Sequence, residues 1–235
     1  MQEVIRVENL VQMAGKKAVL DKVSFSLNAG ESFGLFGIQG VGKTSLLHII
    51  AGIERFSSGV VTVLGFNVAK TEKYKKDVGL VTQAPSLFRD LSGEENLDFI
   101  AALKGAKAGS VRETVERLDL EGYLKMRAGR IEPGAYKRLS LACALLGNPR
   151  VLLVDDLGNN LDLYSLDLIL GELQAFHDGG GTSILVFSQP ELAAVTDRVG
   201  WLENGAMTLW EPDKLTSEWK DRVNTVLGRS GGYGN

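Results

Sequence analysis

Gly37-Ile38-Gln39-Gly40-Val41-Gly42-Lys43-Thr44 fits the phosphate-binding loop pattern G-x-x-x-x-G-K-[ST]. Before it runs Glu31-Ser32-Phe33-Gly34-Leu35-Phe36, which reads as a strand. After it runs Ser45-Leu46-Leu47-His48-Ile49-Ile50-Ala51, which reads as a helix. A strand–loop–helix setting is what the pattern needs. Glycines let backbone N–H groups curl toward a polyphosphate, and the helix N-terminus adds partial positive charge. Lys43 is expected to reach the outer phosphates and Thr44 to hold Mg²⁺, with Gly37, Gly40, Gly42 and Ser45 completing the cradle. A glycine-rich turn ahead of an ordinary helix is the plainer alternative. All four defining residues in the right context weigh against it.

Outward from the loop, the chain alternates between two periodicities. Residues 1–30 alternate apolar and polar positions (Val4, Ile5, Val7; Val23, Phe25, Leu27), which predicts short strands. Gly59-Val60-Val61-Thr62-Val63-Leu64-Gly65 and Val78-Gly79-Leu80-Val81-Thr82 read as further strands, the latter ending at Gln83. From about 87 to 146 the spacing turns helical. Leu97, Ile100, Ala101 and Leu103 form one face, Val111, Val115, Leu118 and Leu120 another, with a loop at 105–109. Val151-Leu152-Leu153-Val154 is fully apolar, as in buried parallel sheets, and Ser183-Ile184-Leu185-Val186-Phe187, apolar after its serine, is a second such run, separated from it by a helix at about 165–176. Residues 199–209 predict a hairpin about Asn204-Gly205. The Gly/Ser-rich stretch 228–235 reads as a flexible tail.

Composition narrows the function. A chain of 235 residues can bury a core without disulfides or metals, and its net charge of −3 gives no reason to expect nucleic acid as a partner. One cysteine, Cys143, excludes an internal disulfide and suits a reducing compartment. It lies in an apolar run and reads as core. Two histidines and one cysteine argue against zinc. No leader opens the sequence and no apolar run approaches membrane-spanning length, so a soluble protein is expected.

The strand at 151–154 runs into Asp155-Asp156. A carboxylate at the carboxyl end of a buried strand, downstream of a phosphate loop, is the expected Mg²⁺ partner. Asp155 takes that role, through water, since Mg²⁺ keeps much of its hydration. Asp156 is placed to polarise an attacking water. The alternative, a helix N-cap pair, sits poorly with the apolar run before it.

The order of these elements resembles the nucleotide-binding domain of the ATP-binding cassette (ABC) family, over about Ile5 to Trp210. Residues 37–44 resemble the family's Walker A loop and 151–156 its Walker B. Gln83 stands where the Q-loop glutamine senses Mg²⁺ and the attacking water. Leu161-Asp162 resembles the D-loop, and 138–149 the helix after the signature motif. Leu64-Gly65-Phe66, Leu87-Phe88-Arg89-Asp90-Leu91 and Glu94-Glu95-Asn96-Leu97 resemble the ABC-2 exporter type. The resemblance implies one α/β domain with a P-loop NTPase (RecA-like) core and a mixed, largely parallel sheet. An N-terminal antiparallel β subdomain joins the core over about 1–86 and 147–227, and a helical insertion fills about 87–146. It implies ATP and Mg²⁺ as ligands, a second nucleotide-binding domain as dimer partner, and transmembrane permease subunits. The chain would then be cytoplasmic, peripheral at the inner face of the membrane. A coupling helix from a permease would dock near Pro85, Ser86, Leu87, Phe88 and Leu91; simple packing of the insertion explains the same apolar residues equally well. Trp210, Trp219 and Val223 read as a dimer contact or as plain terminal-helix packing.

The departures from the family pattern matter as much. Where the family has its LSGGQ signature, this chain has Ile131-Glu132-Pro133-Gly134-Ala135. Glu132 replaces the serine that would meet the partner's γ-phosphate. Like unit charges at ~4 Å repel by about 1 kcal/mol in water and about 4 kcal/mol at an effective dielectric near 20. Pro133 lacks an N–H, and only Gly134 remains of the glycine pair. Asp156 replaces the Walker B glutamate and pulls its carboxylate back; misplacement by ~1 Å costs ~10²-fold in rate. Gln189 stands for the switch histidine and carries no charge. Ala14 offers no π face where an adenine-stacking aromatic is expected, which leaves Met13 or another group. These changes predict ATP binding with slow or absent hydrolysis: either a transport subunit or a non-hydrolysing ATP-binding regulatory or structural module. A motor with compensated geometry is the other possibility. Spoiled signatures in both halves of a homodimer also point to a heterodimer.

Overall fold

Residues 2–107 and 109–226 are described by the computed structural model; the expected tail at 228–235 lies outside the described residues. Strands β1 (Glu3–Ala14) and β2 (Lys17–Asn28) form an antiparallel pair of 12 residues each, longer than the short strands expected. The reason is local. Register shifts between Val7 and Met13, with Asn9 at φ 46, break the apolar alternation, so a period-two reading sees fragments of one strand. β4 (Ser58–Val63) and β5 (Phe66–Asn67) complete a four-stranded sheet in the order β2-β1-β4-β5.

The second sheet carries the site. Its strands are β3 (Ser32–Phe36), β6 (Val78–Val81), β7 (Val151–Val154), β8 (Thr182–Phe187), β9 (Arg198–Glu203) and β10 (Ala206–Trp210), in the order β10-β9-β3-β8-β7-β6. All neighbours are parallel except β10, which returns antiparallel to β9 through Asn204-Gly205. Both turn residues have positive φ, 49 and 81, the backbone that favours Asn-Gly in a two-residue hairpin. β3, β7 and β8 are buried along their whole length, as expected when a parallel sheet is covered on both faces. Phe36 pairs with Phe187, Leu185 with Val154, and Val154 with Val81. This register brings the segments after β3, β8, β7 and β6 out at one edge.

Among the described residues six helices surround the sheets: α1 (Lys43–Ile50), α2 (Gly93–Lys104), α3 (Ser110–Arg117), α4 (Pro133–Leu145), α5 (Leu163–Asp178) and α6 (Pro212–Val226). The stretch read as helical from 87 to 146 holds α2, α3 and α4 with short 3-10 turns at Glu121–Tyr123 and Ala128–Arg130. α2 starts with a reciprocal capping box between Ser92 and Glu95. Trp219 of α6 meets Phe36 and Trp201 edge-on or tilted, at centroid distances of 5.4 and 5.8 Å. Core packing thus accounts for this tryptophan. Phe88 and Phe99 stack edge to face at 5.0 Å while both remain exposed.

α4 lies close against β6 because of Gly79. A Cβ there would sit 2.5 Å from the Ala144 carbonyl oxygen and 3.0 Å from Leu152 Cδ1. A backbone atom cannot yield as a flexible side chain does. Gly79→Val is therefore expected to destabilise the fold by about 1–3 kcal/mol, the usual range for overpacking. Urea denaturation reads this directly; an unchanged midpoint would mean that α4 does not rest on β6.

Candidate functional site

The loop after β3 folds back over its own lysine. Lys43 is the first residue of α1, and its Nζ donates to the carbonyls of Gly37 at 2.5 Å and Ile38 at 3.0 Å, and to Ser188 Oγ at 3.2 Å. Two glycines make the fold-back possible. Gly42 has φ 110, and a Cβ on it would lie 2.7 Å from Val19 Cγ1; a Cβ on Gly37, at φ 155, would lie 2.5 Å from the Leu202 carbonyl oxygen. Gly42 is the N-cap of α1, no side chain caps the helix, and its first turn holds no acidic residue. The N–H groups at this helix start are therefore left for another acceptor. Burial lowers the pKa of Lys43, against the opposing pull of Asp155 and Asp156.

A cavity of about 620 Å³ opens above the loop. Gln39, Gly40, Gly42, Lys43, Thr44 and Ser45 line one wall; Gln83, Asp155 and Asp156 line the other, with Val19, Asn159, Asn160, Val186 and Ser188. The strand register brings these sequence-distant segments together. Thr44 Oγ1 donates to Asp155 Oδ1 at 3.3 Å. Asp155 is 1% exposed, and its Oδ2 is buried with no partner among the described residues. Burial raises its carboxyl pKa; the Thr44 hydrogen bond pulls the other way. A hydroxyl and a carboxylate side by side, with one carboxylate oxygen unsatisfied, fit Mg²⁺, which takes one or two protein oxygens and completes its shell with water and phosphate. Among the described residues no group of three His, Cys, Asp or Glu forms an all-protein cage.

Other expected residues lie at varied distances from this cavity. Asp156 sits on its rim in the left-handed region, at φ 58, and its Oδ1 accepts from Asn159 Nδ2. Gln189 is exposed and lies outside the lining. Its Oε1 faces Gly158, 3.2 Å from where a Cβ would stand. The residue after β8 that does reach the loop is Ser188. Met13 and Ala14 are exposed and stand outside the cavity, whereas Val19 lines it.

The signature region begins α4. Glu132 is the N-cap residue, yet its carboxylate does not cap the helix; it accepts from the Tyr123 hydroxyl. Pro133 takes the first helical position, where a missing N–H is harmless. Gly134 and Ala135 follow, both buried, and a Cβ on Gly134 would collide with Asp162 and Ser165. Asp162 itself caps α5, its Oδ1 accepting from Ser165 N at 2.8 Å, and that bond lowers its pKa.

Four residues escaped sequence reasoning: Ser188, Asn159, Asn160 and Lys137. The asparagines had a signal, the Gly158-Asn159-Asn160 turn immediately after the carboxylates. Lys137 had none. Its Nζ donates to the Asp155 carbonyl at 2.5 Å and the Thr82 carbonyl at 3.3 Å, beneath the strand ends.

A second cavity, about 610 Å³, opens at the amino ends of β7 and β8. Arg117 and Glu172 on its wall already satisfy each other through three hydrogen bonds of 2.9 to 3.2 Å. None of its lining residues carries an unpartnered buried polar atom among the described residues. Lys43 and Asp155, with its unpartnered oxygen, line the first cavity and not this one.

The ABC transporter family model matches residues 20–159, more than half of the chain. The linearmycin resistance ATP-binding protein LnrL of Bacillus subtilis is 32% identical over 209 residues, covering 86% of this chain and 67% of that protein. The sulfate/thiosulfate import ATP-binding protein CysA of Burkholderia mallei is 34% identical over 211 residues, covering 86% and 60%. A solved ATP-binding subunit of an ABC transporter superposes with a TM-score of 0.84 at 20% identity, covering 96% of this chain and 99% of that one. A dimeric ATP-binding cassette in a post-hydrolysis state, bound to ADP and Pi, superposes with a TM-score of 0.82 at 22% identity, covering 88% and 98%. Those two likenesses establish the fold: a P-loop core with a mixed, largely parallel sheet, an antiparallel N-terminal sheet and a helical insertion. With the family model and the relatives, they make this chain a member of the ABC transporter family, as its ATP-binding cassette.

Proposed function

We propose that this chain binds Mg–ATP in the loop cavity, pairs with a second cassette and moves transmembrane permease subunits, with slow hydrolysis. The observation that carries the reading is the meeting of Lys43, Thr44, Gln83 and Asp155 in one cavity, with Asp155 Oδ2 unpartnered. The uncapped α1 terminus and the loop N–H groups receive the phosphates, and Lys43 exchanges its carbonyl partners for them. Thr44 and Asp155 hold Mg²⁺, with Gln83 beside them; bound there, the ion neutralises phosphate charge. None of the described helices is long and apolar enough to cross a membrane. The relatives are ATP-binding proteins named for resistance and import, which supports a place at the inner face of the membrane, held by partner subunits. Relatives named for resistance and for import share this cassette, which suits a module whose cargo is chosen by the permeases.

Two observations support slow turnover. Asp156 has a short side chain already engaged by Asn159. Gln189, in the switch position, is neutral and exposed. Asp156 remains the group nearest to polarising water, and Gln189 must swing inward to hold it. The signature is less hostile to a partner's phosphate than its composition suggests, because Tyr123 turns the Glu132 carboxylate onto itself.

Lys43→Ala is expected to abolish nucleotide binding, measured with a fluorescent ATP analogue; retained affinity would contradict the loop assignment. Phosphate release by the wild-type chain should fall well below ~10 s⁻¹, a median enzyme turnover. Asp156→Glu combined with Gln189→His should raise it about 10- to 100-fold, and an unchanged rate would move the limitation to the signature.

Asp155 makes a separate prediction. Its folded pKa is raised, so the unfolded chain releases the proton first, and ionised Asp155 opposes folding. Stability is lost as pH rises through the ordinary carboxylate range and stays lost above the folded pKa. Asp155→Asn should therefore stabilise the nucleotide-free protein at neutral pH by about 1 kcal/mol, with little effect in acid. The same change should remove the Mg²⁺-dependent stabilisation by ATP, about 2.7 kcal/mol for the wild type at a hundredfold excess over Kd. Thermal melts with and without Mg–ATP decide both points.

A further inference from the structure

Lys137 is a half-buried amine that no step above uses. It lies on α4, one turn beyond the signature residues Glu132 and Pro133. Its Nζ spans two adjacent strand ends, donating to the Asp155 carbonyl at 2.5 Å and the Thr82 carbonyl at 3.3 Å. β6 and β7 are paired there, and Asp155 N donates to the Val81 carbonyl at 2.8 Å. The amine thus lies just past the ends of β6 and β7, on the segments that lead to Gln83 and to Asp155-Asp156. It also borders a smaller cavity of about 310 Å³ between the helical segment and the core, shared with Gln83, Asp156, Asn159 and Asn160.

A cation is an expensive way to tie down two carbonyls, because a neutral donor would satisfy the same oxygens without desolvating a charge. Burial lowers the Lys137 pKa, and the two groups that resist this are Asp156 and then Asp155. The amine forms no close ion pair with either one; it holds their backbone. Its charge therefore acts on the carboxylates through space, while the opposite side of Asp155 faces Thr44.

We propose that Lys137 is a positioning residue for the Mg–ATP site: it anchors the main chain between Asp155 and Asp156 to the signature helix, and its charge offsets the pair of carboxylates. This rests on the reading of the loop cavity as that site. A positive charge below the metal-binding edge opposes a divalent cation and favours the nucleotide anion. Removing it should shift the two affinities in opposite directions. A merely structural loss would weaken both together.

The test is equilibrium binding of fluorescent ATP to the full chain, with Mg²⁺ titrated from none to saturation. Lys137→Gln keeps a donor and loses the charge; Lys137→Met loses both. In each variant the Mg²⁺ concentration for half-maximal binding should fall about 3- to 10-fold, and the affinity for Mg²⁺-free ATP should weaken by a similar factor, the scale of one partly screened charge. The measurement needs no turnover, so slow hydrolysis does not blur it. Should Met compromise folding, the Gln variant alone carries the result. An unchanged Mg²⁺ midpoint in a folded variant, or parallel weakening of both affinities, overturns the role of Lys137 and leaves the site assignment intact. Failure of the wild type to bind any nucleotide would remove that assignment and this inference with it.

Discussion

Every functional contact depends on the register of four parallel strands. β7 shows how tightly it is set. Val151 and Leu153 pack into the core shared with β1 and β2, while Leu152 and Val154 pack into the core under α4 and α5. Both faces are apolar, so alternation alone could not choose between registers. The two cores choose by shape, since a slip of one residue would exchange every side chain between them. With the register fixed, Asp155 leaves the sheet opposite Thr44, and Ser188 opposite Lys43.

That register places charge where water is scarce. Lys43 is 8% exposed and Asp155 1%, and burial pushes each pKa toward its neutral form. Neither charge pairs closely with the other; the lysine leans on carbonyls and the aspartate keeps an empty oxygen. The fold supports this strain with the apolar packing beneath it. Phe36, Trp201 and Trp219 meet at centroid distances of 5.3 to 5.8 Å just below the loop, where aromatic burial stabilises most. A site held in this unsatisfied state gains most from a ligand that brings both anionic oxygens and a divalent cation.

Much of this was legible in the sequence, because its determinants are local. The loop pattern lies within eight residues, the Asn204-Gly205 turn within two, and the apolar runs of β7 and β8 announce their own burial. What escaped was set by tertiary approach. β1 and β2 look fragmentary because bulges interrupt their alternation. Glu132 reads as an unengaged carboxylate until Tyr123, nine positions earlier, is found to donate a hydrogen bond to it. Gln189 is next to Ser188 in sequence, yet only the serine points into the loop cavity. Lys137 looks like any surface lysine on a helix; only the closeness of α4 to β6, granted by Gly79, brings it beneath the carboxylates.

α4 shows why such contacts cannot be read one residue at a time. Arg138, next to Lys137, is 3% exposed. It donates to the carbonyls of Leu118 and Asp119 at 2.6 and 2.7 Å. Its guanidinium lies 5.5 Å from the ring centres of both Tyr123 and Tyr164. Tyr123 is also the residue that engages Glu132, and Tyr164 lies in the first turn of the helix that Asp162 caps. One cation therefore fixes the outer side of α4 to the helical segment and to α5, while the neighbouring cation fixes its inner side to β6 and β7. A buried cation beside a half-buried one is hard to justify on stability alone, since apolar residues pack such positions at no desolvation cost. Together they tie α4 on one side to the helical segment and α5, and on the other to the strand ends that carry Asp155.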